Sequence, residues 1–419
     1  MATQSDLTTR RDFLRWTTTS LCLPSAFLAT RTAAESVAET PGGGRTGSDL
    51  GSLFPLIQSQ SVKGAFPLSY LQSRFNVLAA WKRRARGKLL ELLHYAPPKC
   101  EPRAEVVQRV DCDGYVREKI QFNTTPDIRV PAYVLVPKNA KFPAPAIVNL
   151  HDHGAFYLWG KEKLVELEDE HPSLTAFRRQ YYSGICTASA LAQQGYVVIV
   201  IDMFYWGERR LLLNDDPADW RERPLTMPAE RVAKFNQRSG QSEQLVGRAI
   251  FAAGFTWPAV MFWDDIRTVD YLLTRPEVDK NRIGCVGLSV GGFRSCHLAA
   301  LDDRIKAAVV VGWMTSFPHQ LRRRVVNTIG HTMLVPGLYR QLDFPDVASL
   351  AMPSALLVIN GKKDGLFEPD GVNAAFEKLT ACYRKAGVPE KLRLRLYDTP
   401  HEFNAEMQAE AWEWLRRWL

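Results

Sequence analysis

From Pro143 onward the chain alternates two patterns of apolar residues. Short, nearly unbroken Val/Ile/Leu runs occur at Ala146–Leu150, Val197–Ile201, Ile283–Val286, Ala307–Val311, Leu356–Ile359 and Leu392–Tyr397. Between them lie stretches with helical spacing, at Ala188–Gln194, Trp263–Leu273, Gly291–Ala300, Asp370–Ala386 and Ala405–Leu419. A strand with no polar side is buried on both faces, so this alternation predicts an α/β fold, a mostly parallel sheet with helices on both faces. Upstream, the apolar spacing from Pro67 to Tyr95 predicts one helix, ended by Pro97-Pro98. Three alternating stretches follow at Glu105–Val110, Tyr115–Phe122 and Val130–Val136, separated by Asp113-Gly114 and Thr124-Thr125-Pro126-Asp127; they read as antiparallel strands. The expected organisation is an N-terminal extension over 53–140 and a core over 141–419. Insertions near 157–182 and 204–258 are too long for simple connections and read as lids or binding surfaces.

The first residues have a different character. Thr9-Arg10-Arg11-Asp12-Phe13-Leu14-Arg15 precedes a mildly apolar stretch from Trp16 to Ala29, and Thr32-Ala33-Ala34 follows. Paired arginines, a weak apolar segment and small residues predict a twin-arginine export signal over 1–34, with the export machinery as a partner and the periplasm or exterior as destination. Residues 35–52, with Pro41-Gly42-Gly43-Gly44, read as a flexible linker.

Composition narrows the possibilities further. The chain has 419 residues, 46% hydrophobic and 23% charged, which is ordinary for a globular protein with a large core. No apolar run has the length of a membrane span, so no stable membrane insertion is expected. The net charge is +8, but Lys and Arg are scattered and not interleaved with aromatics, which argues against nucleic acid as a partner. Cys186, Cys285 and Cys296 fall on elements predicted to be buried, and Cys100 and Cys112, close in sequence in the N-terminal region, are the pair to consider as a disulfide.

The chemistry gathers at the ends of the predicted strands. Ile283 to Val286 breaks into Gly287-Leu288-Ser289-Val290-Gly291, a strand, a sharp turn and a helix start. Such a turn exposes the serine, and glycines flank it because a Cβ there would strike neighbouring backbone. The Val290 N–H, at the head of the helix, is a candidate oxyanion donor. After the first parallel strand, His151-Asp152-His153-Gly154-Ala155 places the Ala155 N–H as the second donor by position. A rival reading makes His151-x-His153 half of a metal site, but it needs two more strand-end histidines and only His401 qualifies. Asp364 follows Ala355–Ile359 at a turn, with Glu368 and Asp370 as nearby competitors, and His401 follows the last strand. The order Ser289, Asp364, His401 leaves room for two strand–helix units and then one, as a nucleophile, acid and base on one sheet edge require. Trp206 and Trp313, just past strand ends, are candidate walls of an acyl or sugar pocket.

On these residues the chain resembles the α/β-hydrolase superfamily from about residue 100 to the C-terminus. Within it, His153-Gly154-Ala155, Asp202 through Gly207, Gly287–Gly292, Gly361–Asp364 and Pro400-His401 resemble the dienelactone hydrolase-like and acetyl xylan esterase-like branch. Dienelactone hydrolases proper use a cysteine where this chain has Ser289. The resemblance implies a serine carboxylic-ester hydrolase without metal or organic cofactor, acting on a small-molecule or carbohydrate ester with a short acyl group. A serine peptidase of the same fold, or a binding protein on a hydrolase scaffold, are the alternatives.

Overall fold

A computed structural model describes residues 46–419; the predicted export signal and most of the predicted linker lie outside them. The end of that linker is tied down. Arg322 Nη2 donates to the Thr46 carbonyl at 3.2 Å and Arg323 Nε to the Gly47 carbonyl at 2.9 Å.

The Val/Ile/Leu runs form the centre of one nine-stranded sheet. Its strands are β1 (Glu105–Asp111), β2 (Tyr115–Thr125), β3 (Ile128–Pro137), β4 (Ala144–Leu150), β5 (Val197–Ile201), β6 (Val278–Leu288), β7 (Ile305–Val311), β8 (Ala355–Gly361) and β9 (Leu392–Tyr397). They lie in the order β1-β2-β3-β5-β4-β6-β7-β8-β9. The first three strands and the β3–β5 pair are antiparallel, and every later pair is parallel. The alternating sequences made hairpins, and the continuous apolar runs made the doubly covered centre. β9 departs from that pattern: Arg393 and Arg395 alternate with leucines, and this edge strand is only half buried.

The main helices are α1 (Phe54–Gln60), α2 (Leu78–Leu93), α3 (Pro172–Tyr182), α4 (Thr187–Gln193), α5 (Ala229–Ala252), α6 (Trp257–Leu272), α7 (Val290–Leu301), α8 (Pro369–Lys385) and α9 (Ala405–Trp418). The single helix predicted from Pro67 to Tyr95 is corrected: α2 begins only at Leu78. Residues 67–77 run in turns that bury Leu68, Tyr70 and Phe75, and the Leu68 carbonyl accepts from Trp81 Nε1 at 2.7 Å. Their apolar spacing reflects packing against the body and not a helical repeat. Among the described residues no single helix is long and apolar enough to cross a membrane.

The two insertions carry α3 and α5; in the first, Glu166, Glu168 and Asp169 are exposed, while the charged run before them is not. Lys161, Glu162 and Lys163 are buried. Lys161 Nζ lies 2.7 Å from Asp202 Oδ2, 2.5 Å from Glu208 Oε1 and 3.2 Å from Glu162 Oε1. Burial opposes the ammonium charge, but these carboxylates hold the Lys161 pKa above its ordinary value. Glu162, Asp202 and Glu208 stand close enough together to suggest a cation site, and the lysine ammonium already supplies the cation. Removing it would leave the buried Asp202 without an ion-pair partner among the described residues, while Glu162 keeps Arg223 and Glu208 keeps Lys119. Lys161→Met is expected to cost about 3–5 kcal/mol in urea unfolding; a loss under about 1 kcal/mol would show that the cluster sheds its charge without the lysine.

Candidate active site

Strand register brings the predicted site together. Leu150 of β4 pairs with Gly287 of β6, Leu288 with Val311 of β7, Val311 with Ile359 of β8, and Gly361 with Tyr397 of β9. The residues following these ends therefore emerge along one edge: His151–Ala155, Ser289, Trp313, Asp364 and His401. Brought together there, Ser289, His401, Val290, Trp313 and Ala155 line a cavity of about 290 Å³.

Ser289 sits between β6 and α7 with φ 59° and ψ −123°, backbone angles that side chains rarely adopt. Its N–H donates to the Val311 carbonyl at 2.8 Å, which anchors the turn on β7. The flanking glycines are required by close approach: a Cβ on Gly291 would overlap the Leu150 carbonyl, and one on Gly287 the Gly291 backbone. Both obstacles are backbone, which cannot rotate away. Gly291→Ala is thus expected to cost about 1–3 kcal/mol and to lower the melting temperature. An unchanged melting temperature would mean that β4 and the turn shift freely.

His401 Nδ1 lies 2.6 Å from Asp364 Oδ2, and Asp364 Oδ1 accepts the Leu366 N–H at 2.9 Å. The Asp364 side chain is almost wholly buried, while the His401 ring is partly open to the cavity. Of the competing carboxylates, Glu368 is paired with Arg324 Nε at 2.6 Å, and Asp370 lines a separate surface groove. Val290 is the first residue of α7, so its N–H has no acceptor within the helix.

Two other assignments are corrected. The Ala155 N–H, expected at the oxyanion, instead donates to His153 Nδ1 at 3.0 Å. Trp206, expected in the pocket wall, is fully buried; it donates from Nε1 to the His153 carbonyl at 3.1 Å and stacks on Tyr157. Its indole therefore supports the loop after β4 from beneath. Trp313 does line the cavity.

The histidines of that loop are engaged on both ring nitrogens. His151 Nδ1 lies 2.9 Å from the Asp152 carbonyl and its Nε2 accepts the Met203 N–H at 3.1 Å. His153 Nε2 lies 2.8 Å from Glu243 Oε1, with Nδ1 taken by Ala155. This leaves neither imidazole with a lone pair free for a metal, which disfavours the rival reading on donor chemistry. Sequence reasoning missed what holds the loop. Lys163 Nζ donates to the Asp152 carbonyl at 3.0 Å and the His153 carbonyl at 3.1 Å, and the Tyr182 hydroxyl donates to Asp152 Oδ1 at 2.5 Å. Glu243, on α5, also escaped notice.

The cysteines play no part here. Cys100 and Cys112 are free thiols, as are the other four among the described residues, and burial pushes the Cys285 and Cys296 thiols up to about 12.

The sheet order, the strained serine turn and the covering helices are those of the α/β-hydrolase fold, and this chain has that fold. A model described as an abhydrolase family matches residues 38–215, and the dienelactone hydrolase family model matches residues 182–335, a span that contains Ser289. YtaP of Bacillus subtilis (strain 168), provisionally named a hydrolase, is 26% identical over 334 residues, covering 80% of this chain and 98% of YtaP. A Bacteroides fragilis structure provisionally named an acetyl xylan esterase superposes with a TM-score of 0.63 at 18% identity, covering 84% of this chain and 82% of the other. A glucuronoyl esterase from Solibacter usitatus superposes with a TM-score of 0.59 at 13% identity, over 85% of this chain and 99% of that one.

Proposed function

We propose that this chain is a serine hydrolase of carboxylic esters, acting on short acyl groups carried by carbohydrate or other small alcohols. The observation that carries the reading is the juxtaposition at one cavity of Ser289 in its strained turn and His401 bonded to Asp364 at 2.6 Å. Esterase names among the similar structures, and the dienelactone hydrolase match, support it.

In this mechanism Ser289 Oγ attacks the ester carbonyl as its proton passes to His401 Nε2. The oxyanion forms at the head of α7, where the Val290 N–H is free to donate, a contact worth about 3 kcal/mol in the transition state. His401 returns the proton to the leaving alcohol, and water then releases the acid from the acyl-enzyme by the same steps in reverse. Asp364 accepts from His401 Nδ1, which keeps Nε2 facing the serine and stabilises the imidazolium. A second backbone donor becomes available at Ala155 only if His153 releases it. Residues 1–34 carry this enzyme through the twin-arginine machinery to the periplasm or beyond, a reading supported by Arg10-Arg11, Phe13-Leu14 and the small residues at 32–34.

The test is turnover of p-nitrophenyl acetate by the wild-type chain beside Ser289→Ala. Turnover that depends on Ser289 supports the reading, and equal rates sink it.

A further inference from the structure

One carboxylate in the cavity has no role in the steps above. Glu243 reaches the lining from α5, the helix of the second insertion. Its Oε1 accepts from the Tyr157 hydroxyl at 2.9 Å and lies 2.8 Å from His153 Nε2. Proton accounting settles the second contact. His153 Nδ1 accepts the Ala155 N–H, so the ring proton is on Nε2, the imidazole is neutral, and Nε2–H donates to Glu243. Burial and then the Glu243 charge push the Tyr157 phenol well above its ordinary pKa, so it remains a donor. Two donors thus occupy Oε1, while Oε2 has no partner among the described residues.

The charge around this atom is equally one-sided. The other acidic residue of the lining, Asp152, is matched by Lys163 Nζ at 3.2 Å and by the Tyr182 hydroxyl. No Lys or Arg is among the residues lining the cavity. Glu243 therefore presents an uncompensated negative charge and an open acceptor. The remaining lining is largely apolar, with Leu288, Met333 and Leu366 beside Trp313. An open carboxylate oxygen takes a hydrogen bond from a hydroxyl and repels another carboxylate, and apolar walls suit the C–H faces of a ring or an acyl methyl.

We infer that Glu243 is a specificity-determining residue that selects esters of neutral polyhydroxy alcohols, with Oε2 accepting from a substrate hydroxyl and turning away acidic sugars. The inference rests on the ester-hydrolase reading.

Glu243→Gln tests it with little change of shape. The amide oxygen takes the place of Oε1 and still accepts from Tyr157 and His153, while the amide NH2 replaces the open acceptor with a donor. Wild type and variant are compared on a monoacetylated methyl β-xyloside, on cyclohexyl acetate, which has no hydroxyl, and on a monoacetylated methyl glucuronide, which carries a carboxylate. The ratio of kcat/KM for the xyloside to that for cyclohexyl acetate is expected to fall roughly 10- to 100-fold, mainly through KM. The wild-type preference for the xyloside over the glucuronide is expected to narrow as well. An unchanged ratio, or equal loss on xyloside and cyclohexyl acetate, overturns the inference and leaves Glu243 as a prop for the loop after β4. If wild type cleaves none of these esters, the hydrolase reading fails separately. Binding of methyl β-xyloside by NMR then decides the hydroxyl contact: binding weakened by Glu243→Gln sustains it, and no binding to wild type, or equal binding to both, overturns it.

Discussion

Ser289→Ala is expected to lower kcat for p-nitrophenyl acetate by a factor on the order of 10⁵–10⁶, with the fold intact. Alanine removes one oxygen atom from a turn whose shape is set by backbone contacts, including Ser289 N–H to the Val311 carbonyl at 2.8 Å. The protein should therefore melt close to wild type. Without Oγ no acyl-enzyme forms, and the residual rate comes from binding and from the Val290 N–H. A factor of 10⁶ corresponds to about 8 kcal/mol of barrier, more than the loss of any one oxyanion donor explains. Measuring kcat and the melting temperature on the same preparation separates a lost nucleophile from a lost fold. A variant that melts normally and turns over at more than about a tenth of the wild-type rate would remove Ser289 from the mechanism.

Asp364→Asn is expected to lower kcat by roughly 10⁴-fold while leaving KM for the same ester nearly unchanged. The Asp364 carboxylate is a pure acceptor toward His401 Nδ1 at 2.6 Å, which keeps the ring proton on that nitrogen. Its other oxygen accepts the Leu366 N–H at 2.9 Å, a contact that fixes the side chain. In asparagine the amide oxygen keeps the Leu366 contact and turns the NH2 toward His401. The proton then moves to Nε2, and the imidazole loses the lone pair that must take the serine proton. Glu368 cannot substitute, because it is held by Arg324 at 2.6 Å. The kcat and KM of Asp364→Asn beside wild type check this; a loss under about tenfold would show that another acceptor orients His401.

These two residues, with His401, were legible because each is announced locally. A continuous apolar run that ends in a glycine or a Pro-containing loop marks a parallel strand and the side chain delivered at its tip, whatever the rest of the chain does. Residues such as Val197–Ile201 and Ala307–Val311 state their burial in their own composition, and the strands lie where the pattern puts them. The helix read from Pro67 to Tyr95 failed for the opposite reason. Leu68, Tyr70 and Phe75 are apolar because they pack against the body, and spacing alone cannot distinguish that from a helical face.

The polar half of the site was illegible for a related reason. Lys161-Glu162-Lys163 has the composition of a solvated loop, yet it is buried because Asp202, Glu208 and Asp152 meet it from elsewhere in the chain. Glu243 is one charged residue on a helix, and its meaning comes from His153, 90 residues away in sequence. The Ala155 N–H looked free by position and is taken by the ring of its neighbour. Strand, turn and the serine at its tip follow from short-range periodicity and backbone sterics, which are written in consecutive residues. Charge compensation and hydrogen-bond occupancy depend on which distant groups arrive within about 3 Å, and only the folded chain determines that.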